Sequence, residues 1–508
     1  MQSKRLKILL FIIGLFFMWN VYGQKVINYE AGMGSRKSDN NDVWILYQEV
    51  KAEHEGMWLY ADSALLNTKR NDFTAYRHIK IIIDDTTTIT GDSMYYDGQC
   101  RIVNIWADTV VFVDGKTVLK TPQLSYDRNS SRATYFWWGH TVNGIRTLDS
   151  RRGYYFSNTE DFEIYDEVVL QDTSSRLLTD TLYYNMNTDE ARFVSPTTIY
   201  SDSTIIYSEN GTYNTETRKS KSYKNSRVIN GSKILTSDTL YYDDIARYGE
   251  AISNVSIEDT VNLVTCIGEY GETDQKNRYS YVTNDALVLQ VDKKKKTDTM
   301  YVHGDTIYVY NNSDNEAELI RAYYKVKTYR NDYQGMSDSA NYWIKDSLLV
   351  LYYSPVLWYD SMQCVADTIV ATHGADGVKQ VNMQQNCMLI EQVDDERYNQ
   401  VKGRHINVYF DKGQASYADV LSNSQMCYYL TEEDTIHNTK SLIGVNAGVS
   451  TNMRVYFVKN EPNRVTAYGA PDMQTYPIGR LPEEYAKLKG FRWITDSRPR
   501  KWQDVFIW

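Results

Sequence analysis

Proline is scarce in this chain of 508 residues, with 8 copies, five of them after residue 460. A chain with so little proline loses few backbone donors and is free to pair strand on strand over most of its length. Cysteine is also sparse. Its five copies, at 100, 266, 364, 387 and 427, form no CxxC pair. An odd number leaves at least one thiol unpaired within the chain, and buried small apolar residues are the simpler reading. Only Cys364 and Cys387 are close enough to suggest neighbouring strands. The seven histidines, at 54, 78, 140, 303, 373, 405 and 437, are scattered. No HExxH, GxSxG, phosphate-binding loop or dinucleotide fingerprint occurs, so no catalytic residue, metal or cofactor is assigned. Basic charge is in deficit: 55 Lys and Arg face 65 Asp and Glu, a formal charge of −10. That argues against nucleic acid as a partner and against charge-driven docking on an anionic membrane.

Long hydrophobic runs are missing everywhere but the start. Lys4, Arg5 and Lys7 precede an apolar run from Ile8 to Trp19, followed by Val21-Tyr22-Gly23. The run is shorter than the roughly 20 residues of a membrane span and has the layout of an export signal cleaved after Gly23. Loss of that segment moves the charge to −13, from 52 basic and 65 acidic residues.

What the chain does have is tyrosine, 44 copies, with abundant strand-favouring residues. It also repeats itself. Gly91-Asp92-Ser93-Met94-Tyr95-Tyr96-Asp97 returns as Thr179-Asp180-Thr181-Leu182-Tyr183-Tyr184-Asn185 and as Ser237-Asp238-Thr239-Leu240-Tyr241-Tyr242-Asp243. Weaker copies include Ala61-Asp62-Ser63, Gln123-Leu124-Ser125-Tyr126-Asp127, Gly304-Asp305-Thr306 and Ala366-Asp367-Thr368. Positions 62, 92 and 122 share a step of 30 residues. A period of that size means one supersecondary unit per repeat, stacked on its neighbours. Between the copies lie alternating stretches such as Phe73–Asp84, Thr109–Gly115 and Ala251–Asp259. The pattern predicts an all-β, elongated stack of strand-turn-strand repeats.

In a strand, alternate side chains share a face. Met94 therefore goes with Tyr96, Leu124 with Tyr126, Leu182 with Tyr184, and Leu240 with Tyr242. These eight are predicted to form the inner face, with Ser, Thr and Asp outside. The Asp that opens each copy is read as a turn residue, since its carboxylate can bond nearby backbone N–H groups. This role is preferred over calcium, because neither the period nor the glycines fit a calcium β-roll. Lys293–Lys296 reads as a solvated loop. After Pro471 the chain turns proline-rich. Leu481–Gly490 carries acids early, Lys late and Gly last, which predicts one short helix within a cap over a sheet edge. Pro499 with Arg498, Arg500 and Lys501 argues against a final barrel strand ending at Trp508.

The repeats resemble the OstA/LptA-like lipopolysaccharide-transport family. The resemblance rests on Asn254-Val255-Ser256-Ile257-Glu258-Asp259 and on the copies at 92, 180 and 238. Pro355–Tyr359 and Tyr476-Pro477-Ile478-Gly479 are similar to segments of the larger OstA-like proteins of some Gram-negative bacteria. The resemblance implies a β-jellyroll, or twisted trough, that shields lipid A acyl chains of lipopolysaccharide. It also implies other transport proteins, or further copies, as partners joined end to end by strand pairing across the periplasm. Partners of that kind would hold the chain near the inner or outer membrane. The organisation expected is a signal peptide over 1–23, OstA-like repeats over 24–260, further repeats of the same trough over 261–470 and a C-terminal cap over 471–508. The eight inner-face residues become the candidate groove lining. Two other functions fit the residues alone: a β-solenoid adhesin or structural surface protein, and a polysaccharide-active enzyme with surface Tyr and Trp stacking on sugars.

Overall fold

A computed structural model describes residues 26–292, 298–374, 377–434 and 439–508. The predicted signal segment and the Lys293–Lys296 run lie outside the described residues. Apart from a one-turn helix and two 3-10 turns near the C-terminus, every described element is a strand, and the pairings are antiparallel. The chain divides into two compact units, Met1–Asp202 with Asn210–Glu216 and Ser203–Glu209 with Thr217–Trp508.

In the first unit the long strands Asn40–His54, Met57–Asn67, Asp72–Ile82, Thr87–Asp97, Ile102–Asp114 and Thr117–Asp127 pair each with the next. One 30-residue step is therefore two strands and their two turns. Each strand is broken near its middle. Gln48 and Glu49 oppose the single Asp62, and Arg77 and His78 oppose Asp92, all four bulged residues at positive φ. The bulged strand keeps its burial parity, with Phe73, Ala75, Ile79 and Ile81 all inside, and the strand opposite it switches. In Thr87–Asp97, Thr87 and Ile89 are buried before the bulge, and Met94 and Tyr96 after it. Two half-strands of opposite parity can both face one core only if the strand bends there. The halves accordingly form two layers that touch across the interior: Phe112 meets Tyr126 and Tyr155, each at 5.8 Å between ring centroids.

This geometry corrects the predicted role of the repeated Asp. Asp62, Asp92, Asp180 and Asp238 sit in mid-strand at the bend, not in a turn. Asp62 bonds His78 Nδ1 at 2.7 Å, and Asp238 accepts from Asn254 Nδ2 at 2.7 Å, in each case across the bulge. The turn is organised by the last residue of the same motif. Asp97 accepts from the N–H groups of Gln99 and Cys100, Asn185 from those of Asn187 and Thr188, and Asp243 from that of Ala246. Both roles use the compact acceptor of Asp or Asn, and only the pairing register separates them.

The second unit repeats the bend, with Lys224-Asn225 opposite Asp238 and Tyr324-Lys325 opposite Asp338, both pairs at positive φ. The C-terminal segment carries the predicted short helix and covers a sheet face, not the sheet edge expected of the cap. Asp472–Tyr476 adds an edge strand, but the residues beyond it cross an outer sheet face. The helix is one turn, Glu483–Ala486, because the chain leaves helical geometry at Lys487. Two fully buried glutamines hold this strap by imitating a strand edge. Gln400 accepts from Leu488 N–H and donates to Ala486 C=O. Gln363 accepts from Ile494 N–H at 2.9 Å and donates to Arg492 C=O at 2.6 Å. Leu488 then packs with Val356, Trp358, Val365, Met388 and Ile390. Val356–Tyr359 and Met362–Val365 are consequently buried on both faces.

The five cysteines are free thiols, and only Cys100 is exposed. Burial pushes the thiols of Cys266, Cys364, Cys387 and Cys427 up to about 12, which makes them inert packing residues.

Candidate functional site: the interior between the layers

The predicted inner-face residues all lie inside, Met94, Tyr96, Leu124, Tyr126, Leu182 and Tyr184 in the first unit and Leu240 and Tyr242 in the second, none more than 3% exposed. In the first unit five of the six fall in two rows fixed by register, and Leu182 stands between Ile164 and Phe193. One runs Leu46, Ala64, Ala75, Met94, Ile105, Leu124. The other runs Phe73, Tyr96, Val103, Tyr126, Ala133, Tyr155, Phe162, Tyr184, Ala191, Tyr213. Large rings alternate with smaller residues along much of the second row, so neighbouring strands interlock. Along these rows the interior is filled, with every member at most 2% exposed. A Cβ added at Gly91 would lie 2.7 Å from the Ile105 side chain.

Tyrosine rather than phenylalanine recurs because each ring ends at a polar edge. There the turns of the two layers meet. Tyr96 Oη lies 2.7 Å from His54 Nδ1 and accepts from Arg128 at 3.2 Å. Tyr155 donates to Asp114 at 2.8 Å, Tyr184 lies 3.4 Å from Thr215 Oγ1, and Tyr242 accepts from Asn230 Nδ2 at 3.3 Å. The rings are apolar wall and the hydroxyls are rim. Burial raises the phenols of Tyr96, Tyr184 and Tyr242 above their ordinary value, so they stay neutral.

Ionic and polar bridges close the same seam. In the first unit Arg101 pairs with Glu55 at 2.7 Å, Arg128 donates to the carbonyls of His54 and Glu55, and Arg146 pairs with Asp189. In the second, Thr204 donates to Asp244 at 2.6 Å across the seam, while Arg218 pairs with Asp244 from the neighbouring turn and Lys233 pairs at 2.7 Å with Asp259, its register partner, each within one layer. Burial pushes the Asp259 carboxyl up, but hydrogen bonds from Lys233 and Asn262 outweigh it and leave the carboxyl below its ordinary 3.8. A carboxyl lowered in the fold stabilises above its unfolded pKa, and that contribution is lost as pH falls through the folded value. Between pH 4 and pH 2, the protection of the Asn262 amide, measured against its intrinsic exchange rate, is therefore expected to fall. Asp259→Asn should flatten that fall; an unchanged profile would mean the carboxylate holds nothing.

Sequence reasoning missed Tyr155, Phe162 and Tyr213, which complete the inner row but lack the Asp-Ser/Thr prefix. It also missed the seam, whose bridging partners are 40 to 74 residues apart. Among the described residues no group of three or more His, Cys, Asp or Glu could hold a metal, and no helix is long and apolar enough to cross a membrane.

A family described as OstA-like protein matches residues 25–177 and 162–238. Residues 25–238 are an OstA-like region. All but two of the eight inner-face residues fall inside it. No curated protein matches the chain. Among solved structures, part of the chain is similar to LptH from Pseudomonas aeruginosa, the LptA-homologous periplasmic component of a lipopolysaccharide transport device. The likeness is at 11% identity, covers 21% of this chain and 73% of that one, and has a TM-score of 0.19.

Proposed function

We propose that this OstA-like chain is a non-enzymatic periplasmic carrier of lipopolysaccharide, and that lipid A acyl chains lie between its two layers. The observation that carries this reading is the pair of inner rows: a continuous apolar strip across successive strands, rimmed on one side by tyrosine hydroxyls and ion pairs. An acyl chain gains about 0.8 kcal/mol per CH₂ taken out of water, so such a strip holds tails wherever it admits them. Because the interior is filled along these rows, tails enter by parting the layers at the seam. Polar bridges suit that task, since water replaces a separated ion pair far better than it replaces a separated apolar contact. Met94, Tyr96, Leu124, Tyr126, Leu182, Tyr184, Leu240 and Tyr242 then become tail contacts. The sugar head stays at the polar rim, and other transport proteins or further copies would continue the strip by strand pairing at the sheet edges.

The same filled interior also suits a purely structural or adhesive β-protein. Native mass spectrometry of the exported chain from a lipopolysaccharide-producing host separates the two. Retained lipid of lipid A mass is expected. A lipid-free chain, unchanged after incubation with lipopolysaccharide, would favour the structural reading.

A further inference from the structure

We infer that the outer face of the first unit carries a linear track for an extended β-linked glycan chain, separate from the interior. Register places Tyr47, Ser63, Tyr76, Ser93, Trp106 and Gln123 in one row across six consecutive strands. The aromatic members stand on every second strand and are the solvent-facing ones: Tyr47 is 47% exposed, Tyr76 44% and Trp106 37%. Directly behind this row lies the buried row that holds Met94 and Leu124. The three rings therefore project from a stiff, two-layered wall.

Three features select the occupant. Strands lie about 4.8 Å apart, so successive rings are about 9.6 Å apart and the outer two about 19 Å. That spacing is close to the disaccharide repeat of a flat β-linked glycan, whose sugars present apolar faces to aromatic rings. An extended peptide repeats every two residues at roughly 6.8 Å and falls out of step with the rings. The second feature is the rungs between the rings. Ser63, Ser93 and Gln123 offer hydroxyl and amide groups that can bond sugar hydroxyls, whereas a lipid tail needs an unbroken apolar strip. The third is the flank. The bend residues beside the row are polar and exposed, among them Glu49, Asp62, Arg77 and His78, with Asp62 and His78 already paired at 2.7 Å. Such a border, mixed in charge, suits a hydroxyl-rich, uncharged chain.

The test is calorimetric titration of the full exported chain with the hexamer and the dimer of β-1,4-linked N-acetylglucosamine, and with maltohexaose, whose α-links curve it away from a straight row. The hexamer is expected to bind and the dimer to bind at least tenfold more weakly. Maltohexaose is expected not to bind. Tyr47→Ala, Tyr76→Ala and Trp106→Ala should each weaken the hexamer about three- to tenfold, and together abolish its binding, with the melting temperature little changed because the rings are half exposed. Equal affinity for dimer and hexamer, no saturable binding of the hexamer, or full binding by the triple variant would each overturn the track. Retained lipid bears on the interior alone, so the two readings fail separately.

Discussion

Trp358→Ala is expected to free the C-terminal strap and to destabilise the second unit by about 3–5 kcal/mol, the range for removing a buried Trp. Trp358 is 2% exposed, and its indole N–H donates to Ile494 C=O at 3.0 Å and to Gln363 Oε1 at 3.2 Å. The substitution thus opens a cavity under Leu488 and loosens the glutamine that clamps Arg492 and Ile494. Amide exchange at Leu488 and Ile494 should rise by orders of magnitude, while the first unit keeps its protection. Following each unit by its own amides avoids assigning one free energy to a chain of two units. Gln363→Ala should show the strap effect with a smaller loss of stability, because it leaves Ile494 N–H and Arg492 C=O unpaired without emptying the core. Unchanged exchange at 486–494 in Trp358→Ala would show that the strap is held by something else.

The second large effect is expected at the seam. Asp244→Ala should cost the second unit about 3 kcal/mol, the lower end for breaking a buried ion pair, since Arg218 keeps 17% side-chain exposure. The loss arises because Arg218 and Thr204 both lose the carboxylate that accepts from them. Replacing both partners with apolar residues, Arg218→Met with Asp244→Leu, should therefore recover most of the stability. Urea denaturation followed at Tyr242 and its neighbours would measure the pair. Impaired lipid loading by that double variant, which also loses the Thr204–Asp244 bond across the layers, would identify that bond as a device for opening. If Asp244→Ala unfolds like the wild type, the seam is not latched at Asp244.

The strand content and the inner face were legible in the sequence because period-2 patterning is local. Leu182 and Tyr184 stand two apart, and each copy of the motif states the same parity. The bend was not legible, since it depends on which residue opposes which. Asp92 looks like a turn residue until Arg77 and His78 are found opposite it. The strap left a trace that alternation alone could not interpret. Val356-Leu357-Trp358-Tyr359 and Cys387-Met388-Leu389-Ile390 are unbroken apolar runs, as expected of strands covered on both faces, but nothing local names the cover. The seam is harder still. Arg128 and His54 carry no shared motif and meet only because the layers close on one another.

Photoreactive residues placed in neighbouring pairs test the central claim most directly. Positions 96, 184 and 242 point inward, and their chain neighbours 95, 183 and 241 point outward from the same strands. Irradiation in cells making lipopolysaccharide should crosslink the inward set to that lipid and leave the outward set unlabelled. Labelling of the outward set alone, or of neither, would contradict a lipid path between the layers.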